Sequence, residues 1–325
     1  MMVERGTVGT VEWKNGEASP RTRGPQVFRP GHVRSPAPVV RQVGVTPPWR
    51  LALRRLRRHR LAVTGAVVAG ALTALALLAP WVAPAPPDRS RLPERWMPPG
   101  PGHPLGTDEL GRDVLSRLLY AGRISLAVGY GVALLVAAAG TAVGALAAFH
   151  GGAVDAVLMR AVDVLLAIPT LPLYLILAAL LPGGGPGQVV LILAAFGWPP
   201  VARLVRAQVL TVREETFVEA ARASGASDGR VLMRHVLPHA AGPVAVAATL
   251  AAAHAILSES ALSYLGLGIA PPTASWGNML QRAQDALWTA PWLAVAPGCA
   301  IALAVLGLNL LGDGLRDALD PRWHR

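Results

Sequence analysis

Residues 219–238, EAARASGASDGRVLMRHVLP, decide how the rest of the chain is interpreted. The stretch holds three arginines, two acids and two glycines, yet long apolar runs flank it on both sides. Runs of about 20 apolar residues are what a helix needs to cross a hydrocarbon core of about 30 Å. The stretch is therefore predicted to be a polar connector between two membrane spans, and its helix-forming residues around a glycine need a separate explanation.

The composition of the whole chain is that of a membrane protein. It has 325 residues, 53% of them hydrophobic, and a net charge of +11. A soluble protein would need polar faces along its helices, whereas here long uncharged runs alternate with charged segments. Excess arginine is typical of cytoplasmic loops, and aromatic residues, at 5%, are too few for a nucleic-acid stacking platform. We expect an all-α polytopic membrane protein that contacts the lipid bilayer and no nucleic acid.

Six apolar runs predict six transmembrane helices, at about residues 61–83, 124–149, 157–182, 188–208, 240–262 and 290–313. Residues without hydrophobic periodicity and rich in Pro, Gly and Arg are typical of disorder. The predicted organisation is a disordered cytoplasmic tail at 1–48, a basic segment with the first span at 49–83, an extracytoplasmic or interfacial segment at 84–123, a five-helix core at 124–313 with a cytoplasmic loop at about 203–239, and a cytoplasmic tail at 314–325.

The arginines set the expected orientation. Six arginines and no acid lie between Arg50 and Arg60, directly before the first span, which places the N-terminus inside. Six spans return the C-terminus to the same side, so both termini and the connector face the cytoplasm. Residues 84–123 fit less well, because they carry six arginines and five acids. One explanation is that their last part, GRDVLSRLLYAGR, lies along the membrane surface as an amphipathic helix.

Within the connector the sequence predicts a first short helix. Thr211 and Glu214 have the spacing of a capping box that would start it. One face of this helix combines positions i, i+3, i+4 and i+7, namely Phe217, Ala220, Ala221 and Ser224. Small residues let another surface approach the backbone closely, which suits helix-in-groove docking. The alternative is an ordinary amphipathic connector that lies on lipid headgroups.

A second short helix is predicted to follow. Gly225 stops the first helix at low steric cost, as a residue just past a helix end often does. Ser227 or Asp228 can cap the second helix, and Pro238 is expected to end it before the next span. His235 and His239 have the spacing of a metal pair, but the proline between them and the lack of a third ligand argue against a metal site.

The connector also resembles the EAA motif of ABC importer permeases. The motif runs Glu-Ala-Ala, three residues, Gly, and later Leu-Pro, and the matching residues are Glu219, Ala220, Ala221, Gly225, Leu237 and Pro238. The resemblance implies that the loop, with Phe217 on its exposed face, forms coupling helices that dock into a groove on a separate ATP-hydrolysing subunit. His239, where relatives often have Asn, is a departure from the pattern.

Three further blocks are similar to signatures of dipeptide, oligopeptide and nickel importer permeases, and of the C-type subunit in particular: residues 103–126, 258–280 and 306–322. This resemblance implies the six-helix type I ABC importer permease fold in a prokaryotic cytoplasmic (inner) membrane. The implied partners are a second homologous permease in a heterodimer, two ATP-binding subunits and an extracytoplasmic substrate-binding protein. No cofactor is expected on this chain; ATP and Mg belong to the partner ATPases.

Four residues of the first of these blocks have two possible roles: Gly106, Asp108, Gly111 and Asp113. Glycine and aspartate make turns and cap helices throughout proteins. Contact with the substrate-binding protein is the alternative role.

Ionisable and helix-breaking residues within the spans are candidates for the translocation pathway. Asp163 is one, although Arg160 stands three residues before it and could simply pair with it. Pro169 leaves backbone carbonyls unpaired, which is tolerated where helices line a cavity or pack together. Glu259 lies near the outer end of the fifth span, where it would meet a substrate amine or hold the permease pair together. His254, about one turn earlier, is expected to be a packed, neutral histidine.

The chain itself is not expected to hydrolyse ATP. A phosphate-binding P-loop needs Gly-Lys-Ser/Thr, and the single lysine, Lys14, lies between Trp13 and Asn15. The main alternative to an ATP-driven importer is a secondary transporter driven by an ion gradient, which would need no coupling helix.

Overall fold

The computed structural model describes residues 56–57, 59–181 and 183–319. The tail predicted at 1–48, most of the basic segment that follows it and the last part of the C-terminal tail lie outside the described residues. Within the described ranges the chain forms helices and turns and no β-strand. The all-α prediction is confirmed.

The helices are numbered in chain order: α1 Arg60–Leu77, α2 Ala79–Val82, α3 Val114–His150, α4 Gly152–Ala167, α5 Thr170–Leu180, α6 Pro186–Gly197, α7 Pro199–Arg213, α8 Thr216–Ala223, α9 Asp228–Val231, α10 Leu237–Tyr264, α11 Trp276–Ala283 and α12 Trp292–Leu319. A π-helical turn, Leu232–Val236, joins α9 to α10.

Four helical segments are long and apolar enough to cross a membrane: α1, α3, the continuous stretch from α9 through α10, and α12. Two bent helix pairs are long and apolar enough when each pair is taken together, α4 with α5 at 87° and α6 with α7 at 45°. Counting each bent pair as one span gives up to six crossings in the described part of the chain, as predicted. Prolines lie at both bends, since Pro169 precedes α5 and Pro199 begins α7. At a helix start the missing N–H of proline has no partner to lose.

The second span begins earlier than predicted, at Val114 rather than at residue 124. The segment GRDVLSRLLYAGR is therefore no separate surface helix, because from Val114 onwards it forms the first turns of α3. The Asp113 carboxylate accepts a hydrogen bond from the Ser116 amide at 2.7 Å and caps this helix. Arg117, one of the six arginines of residues 84–123, is 3% exposed and lies 3.6 Å from the Asp108 carboxylate. Its charge is thus balanced inside the protein rather than at a lipid surface.

The helices pack through small residues. α3 lies against α7 and α10, and α12 lies against α1 and α10. Where α1 crosses α12, a Cβ placed on Gly65 would come within 2.5 Å of the Gly307 carbonyl oxygen, and a Cβ on Gly314 would collide with Ala62. Such close backbone approach replaces the hydrophobic driving force that is missing between helices in lipid.

The bundle has two distinct ends. We call the end that carries residues 84–113 and 265–291 the cap end, and the end that carries residues 214–227 the connector end. The α3 helix runs from the cap end to the connector end, and the α9–α10 stretch runs back.

Gly65→Ala is expected to destabilise the α1–α12 contact by about 1–3 kcal/mol, because the new methyl group meets backbone atoms that cannot rotate away. The thermal unfolding midpoint of the full-length chain in detergent should fall. Gly70→Ala is the matched control on the same helix, where nothing lies within 4 Å of the added Cβ. The unfolding midpoint of the Gly70→Ala variant should stay unchanged or rise, since alanine is more favourable than glycine in a helix by up to about 1 kcal/mol. Equal effects of the two substitutions would contradict the packing argument.

Candidate functional site

The connector begins differently from the prediction. Thr211 and Glu214 form no capping box, because Thr211 lies inside α7 and its hydroxyl donates to the Ala207 carbonyl at 3.0 Å. Glu214 directly follows the end of α7. Apolar residues of α7 such as Val205 and Val209 are buried against the bundle, so tertiary packing extends the helix past the local start signal. Only Glu214 and Glu215 therefore separate α7 from α8.

The α8 helix presents the face that its spacing predicts. Phe217 is 40% exposed, and Ala220 and Ser224 are also exposed, while Ala221 is half-buried. Val218, on the side next to this face, is fully buried and holds α8 to the rest of the protein. A helix anchored on one side thus offers small residues and one aromatic ring on the adjacent face.

The start of α10 packs onto α8. The ring of His239, the residue that departs from the EAA pattern, lies 5.3 Å from the ring of Phe217. This aromatic contact ties α8 to the span that follows it.

Gly225 has the left-handed backbone that its position predicts, with φ of +83°. Its amide donates to the Arg222 carbonyl at 2.9 Å, and the Ala226 amide donates to the Ala221 carbonyl at 3.2 Å. These two bonds are those of a Schellman motif, which ends a helix and satisfies its last carbonyls. The turn between α8 and α9 is therefore fixed by backbone geometry.

Pro238 does not end the second helix as predicted. The chain is continuously helical from Asp228 to Tyr264, a stretch of 37 residues. Just before the proline, the Leu237 amide reaches back five residues to the Leu232 carbonyl. The wider π turn relieves the clash that a proline ring makes with a preceding carbonyl in an α-helix. The second connector helix and the fifth span are one rod.

Two ion pairs join the connector-end halves of spans three and four. Asp163 on α4 lies 2.5 Å from Arg203 on α7, so the predicted pairing with Arg160 is wrong. Asp155 on α4 accepts two hydrogen bonds from the Arg206 guanidinium, each at 2.5 Å. The facing helix α7 brings arginines closer to these carboxylates than the neighbouring turn of α4 does. Because α7 leads directly into α8, these pairs link the connector to the bent third span.

A cavity of about 520 Å³ lies between α3, α4, α5, α6, α7 and α10. Its walls are mainly apolar, and four of its lining side chains are polar: Thr170, Tyr174, His254 and Ser258. His254 is exposed to this space, so the prediction that it is a packed histidine is wrong. A chamber of this kind, with few polar groups on apolar walls, is typical of small-molecule passage or binding.

The predicted pathway residues differ in their relation to this cavity. Pro169 lies at the bend between Leu166 and Thr170, which both line the cavity. Asp163 is 52% exposed and engaged with Arg203. Glu259 is fully buried, so in this conformation its carboxyl contacts only this chain.

Sequence reasoning missed most of the polar lining. The signal was present in the spacing, because Thr170 with Tyr174, and His254 with Ser258, are i, i+4 pairs in otherwise apolar runs. Residues four apart share one helix face. A search for polar pairs at that spacing would have identified both walls.

At the cap end, the candidate residues make turns and caps. Gly106 and Gly111 have φ of +74° and +69°. The Asp108 carboxylate accepts hydrogen bonds from the Leu110 and Arg112 amides, each at 2.9 Å.

The cap end also carries a perturbed carboxyl. Partial burial raises the pKa of Glu94, but hydrogen bonds and charge attraction from Arg91 and His103 lower it by more, so its pKa lies below the ordinary value.

Two family models match the chain. The binding-protein-dependent transport system inner membrane component matches residues 140–325, and the N-terminal TM domain of oligopeptide transport permease C matches residues 47–99. The chain belongs to the family of binding-protein-dependent transport system inner membrane components. Its fold is the type I ABC permease fold, as the connector motif predicted. Membership of this family disfavours the ion-gradient-driven alternative.

Relatives match over most of their length. A peptide transport system permease protein of Brucella abortus is 42% identical over 275 residues, 85% of this chain and 92% of the relative. A dipeptide transport system permease protein of Alkalihalophilus pseudofirmus is 37% identical over 288 residues, 89% and 94% of the two chains. A glutathione transport system permease protein of Escherichia coli is 42% identical over 287 residues, 88% and 94%.

Gly225→Ala should loosen the turn between α8 and α9, because a left-handed backbone costs a non-glycine residue about 1–2 kcal/mol. Proteolytic cleavage within residues 224–230 of the full-length chain should become at least roughly fivefold faster. Gly229→Ala is the control, since Gly229 lies in α9 with nothing within 4 Å of an added Cβ. Faster cleavage in both variants would show that the backbone of Gly225 is not what fixes the turn.

The Asp155–Arg206 pair should contribute a coupling energy of about 1–3 kcal/mol in a double-mutant cycle with alanine, since both side chains are mostly buried and form two bonds. The measurement is the free energy of unfolding in mixed detergent. The control cycle uses Arg213 and Glu214, whose side chains are 38% and 74% exposed. Exposed pairs give about 0–1 kcal/mol, and a coupling no larger than that for Asp155–Arg206 would refute the link between spans three and four.

Proposed function

We propose that this chain is a transmembrane permease subunit of an ATP-driven importer of peptides or closely related small solutes. It forms half of the translocation pathway and couples to a separate ATPase. The observation that carries the proposal is the exposed, small-residue face of α8, anchored by Val218 and ended by the Schellman turn at Gly225. The peptide class is supported by the three relatives, whose names refer to peptides, a dipeptide and glutathione.

In this proposal the connector end lies in the cytoplasm together with both termini, and the cap end lies outside. The arginine distribution supports this orientation, because six arginines lie in the last turns of α7 and in the connector: Arg203, Arg206, Arg213, Arg222, Arg230 and Arg234. Arginine near the ends of spans favours the cytoplasmic side.

ATP and Mg bind the partner ATPases and not this chain. Two ATP-binding subunits, a second homologous permease and an extracytoplasmic substrate-binding protein complete the complex. The connector docks into a groove on an ATPase through α8, with Phe217, Glu219, Ala220 and Ala221, and through the turn at Gly225 that follows it. Leu237 and Pro238 belong to the same unit, because they begin α10 within the continuous rod that runs from Asp228 through span five.

In the proposed complex, movement of α8 is passed to the translocation pathway through a two-residue linker and two ion pairs. Two residues join α8 to α7, and the Asp155–Arg206 and Asp163–Arg203 pairs join α7 to α4. At its other end α4 meets the bend at Pro169, beside the cavity. A push on α8 therefore moves a wall of the chamber, as alternating access requires.

The chamber suits a peptide. Its apolar walls tolerate varied side chains, while hydroxyl and imidazole groups of Thr170, Tyr174, His254 and Ser258 can bond to backbone amides and carbonyls. No hydrogen bond joins these four side chains to another described residue, which leaves them available to a substrate.

The test is purification of a tagged full-length complex from membranes, with copurifying proteins identified by mass spectrometry. The wild type should bring down a second permease and P-loop ATPases. Ala220→Trp should reduce ATPase recovery at least tenfold and keep the second permease, because the indole fills the docking face without entering the core. Thr211→Trp is the control, since Thr211 is exposed on α7 and lies outside α8.

Equal ATPase recovery with both tryptophan variants would refute docking through this face. A chain that purifies alone and transports on an ion gradient would refute the importer itself.

A further inference from the structure

Glu259 is a buried acid that the pathway does not use. It lies in the last two turns of α10 and is 0% exposed. No arginine or histidine of the described ranges lies within ion-pair distance of it. Its two oxygens instead accept hydrogen bonds from serine hydroxyls, from Ser125 of α3 at 3.1 Å and from Ser263 of α10 at 2.7 Å. Burying an acid without a cation is costly, so its place in the structure needs a cause.

The hydroxyl oxygen of each of these serines also accepts a hydrogen bond from a backbone amide. The Ser263 hydroxyl oxygen accepts from the Ile269 amide at 3.0 Å, and the Ser125 hydroxyl oxygen accepts from the Trp276 amide at 3.1 Å. Ile269 lies in the loop after α10, and Trp276 is the first residue of α11. The middle of the loop and the start of α11 are thus linked to Glu259 through one serine hydroxyl each.

The hydrogen-bonding needs of the two serine hydroxyls explain why position 259 holds an acid. A serine hydroxyl has one hydrogen to donate, and here its oxygen already receives an amide hydrogen. The hydroxyl hydrogen must therefore go to an acceptor, and a carboxyl group offers one on each of its two oxygens. A neutral apolar residue would leave both hydroxyl hydrogens buried without partners.

Further contacts hold the rest of the loop against the last turns of α10. The Asn278 side-chain amide donates to the Ile269 and Thr273 carbonyls at 3.1 and 2.8 Å. A Cβ on Gly277 would come within 2.7 Å of the Ser260 Cα, and one on Gly268 would collide with Ser263. Backbone therefore lies directly on backbone, and the loop cannot shift while the serine bonds hold.

Charged hydrogen bonds connect α11 to the other segment of the cap end, residues 84–113. Arg282 of α11 donates to the Glu109 carboxylate at 2.7 Å, and Glu109 also accepts from Arg112 at 3.0 Å. The position of α11 thereby determines how residues 84–113 and 265–291 meet.

We propose that Glu259 is a positioning residue: through Ser125 and Ser263 it holds the segment 265–283 in the shape in which the cap end receives its soluble extracytoplasmic partner. The docking part rests on the proposed function. The positioning part rests only on the contacts above and can be tested separately.

The positioning test is hydrogen exchange of the full-length chain in lipid nanodiscs, read by mass spectrometry on overlapping peptides that cover 265–283. Glu259→Ala should speed exchange at both Ile269 and Trp276, by roughly tenfold, since each lost buried bond opens its amide. Ser263→Ala should speed exchange at Ile269 and Ser125→Ala at Trp276. Glu259→Gln should have a smaller effect than Glu259→Ala, because the glutamine amide retains one acceptor oxygen.

Ser260→Ala is the matched control for Ser263→Ala. Ser260 lies on the same helix and is equally buried, but its hydroxyl has no hydrogen-bond partner among the described residues. Its removal should leave both amides protected. Unchanged exchange in Glu259→Ala, or the same effect from Ser260→Ala as from Ser263→Ala, would overturn the positioning role.

The docking part is tested on the assembled complex in proteoliposomes, with its purified substrate-binding protein loaded with a dipeptide. Glu259→Ala should reduce the stimulation of ATPase activity at least fivefold and leave the unstimulated rate unchanged, and Ser260→Ala should change neither. Full stimulation of Glu259→Ala despite fast exchange would overturn docking through this segment. If the wild-type chain copurifies with no ATPase, the proposed function fails, and the exchange pattern still decides whether Glu259 positions the loop.

Discussion

The passage of the backbone through Pro238 is the local event on which the rest of the structure depends. A proline inside an α-helix removes one hydrogen bond and pushes on the preceding turn. The π turn Leu232–Val236 absorbs this disturbance, so α9 and α10 continue as one rod from the connector end to the cap end. The rod contacts α8 at its start, lines the cavity with His254 and ends beside the buried carboxyl of Glu259. A break at Pro238 would separate these three regions mechanically.

The neighbouring spans are built in the opposite way. The α4–α5 and α6–α7 pairs bend by 87° and 45°, and their segments on the cavity side are short. Irregular backbone at membrane depth is tolerated where protein covers it or a cavity adjoins it. The chamber therefore has one wall formed by a continuous helical stretch and other walls formed by bent helix pairs. The Asp155–Arg206 pair joins α4 of one bent pair to α7 of the other.

Sequence reasoning succeeded where the determinant is local. The φ of Gly225 follows from its position after a short helix, and the exposed face of α8 follows from helical spacing. It failed where contacts with an element distant in the sequence determine the local structure. Thr211 carries a start signal, but burial of α7 against α3 extends the helix past it. Asp163 has an arginine three residues before it, yet it pairs with Arg203 of the next span, and the local pattern does not reveal this contact between spans.

The same distinction separates the polar residues of the spans into two groups. Glu259 looked like a pathway residue because an acid in an apolar run stands out, but serine hydroxyls from α3 and α10 donate a hydrogen bond to each of its two oxygens. Thr170 and His254 attracted less attention because single hydroxyls and histidines are common, yet they face open space without partners in the described part of the chain. In a membrane interior an unsatisfied polar group is expensive, so one that persists needs water or a ligand to bond to. We therefore propose that the hydrogen-bonded polar groups hold this protein together and that the unpaired polar groups at the cavity meet the substrate.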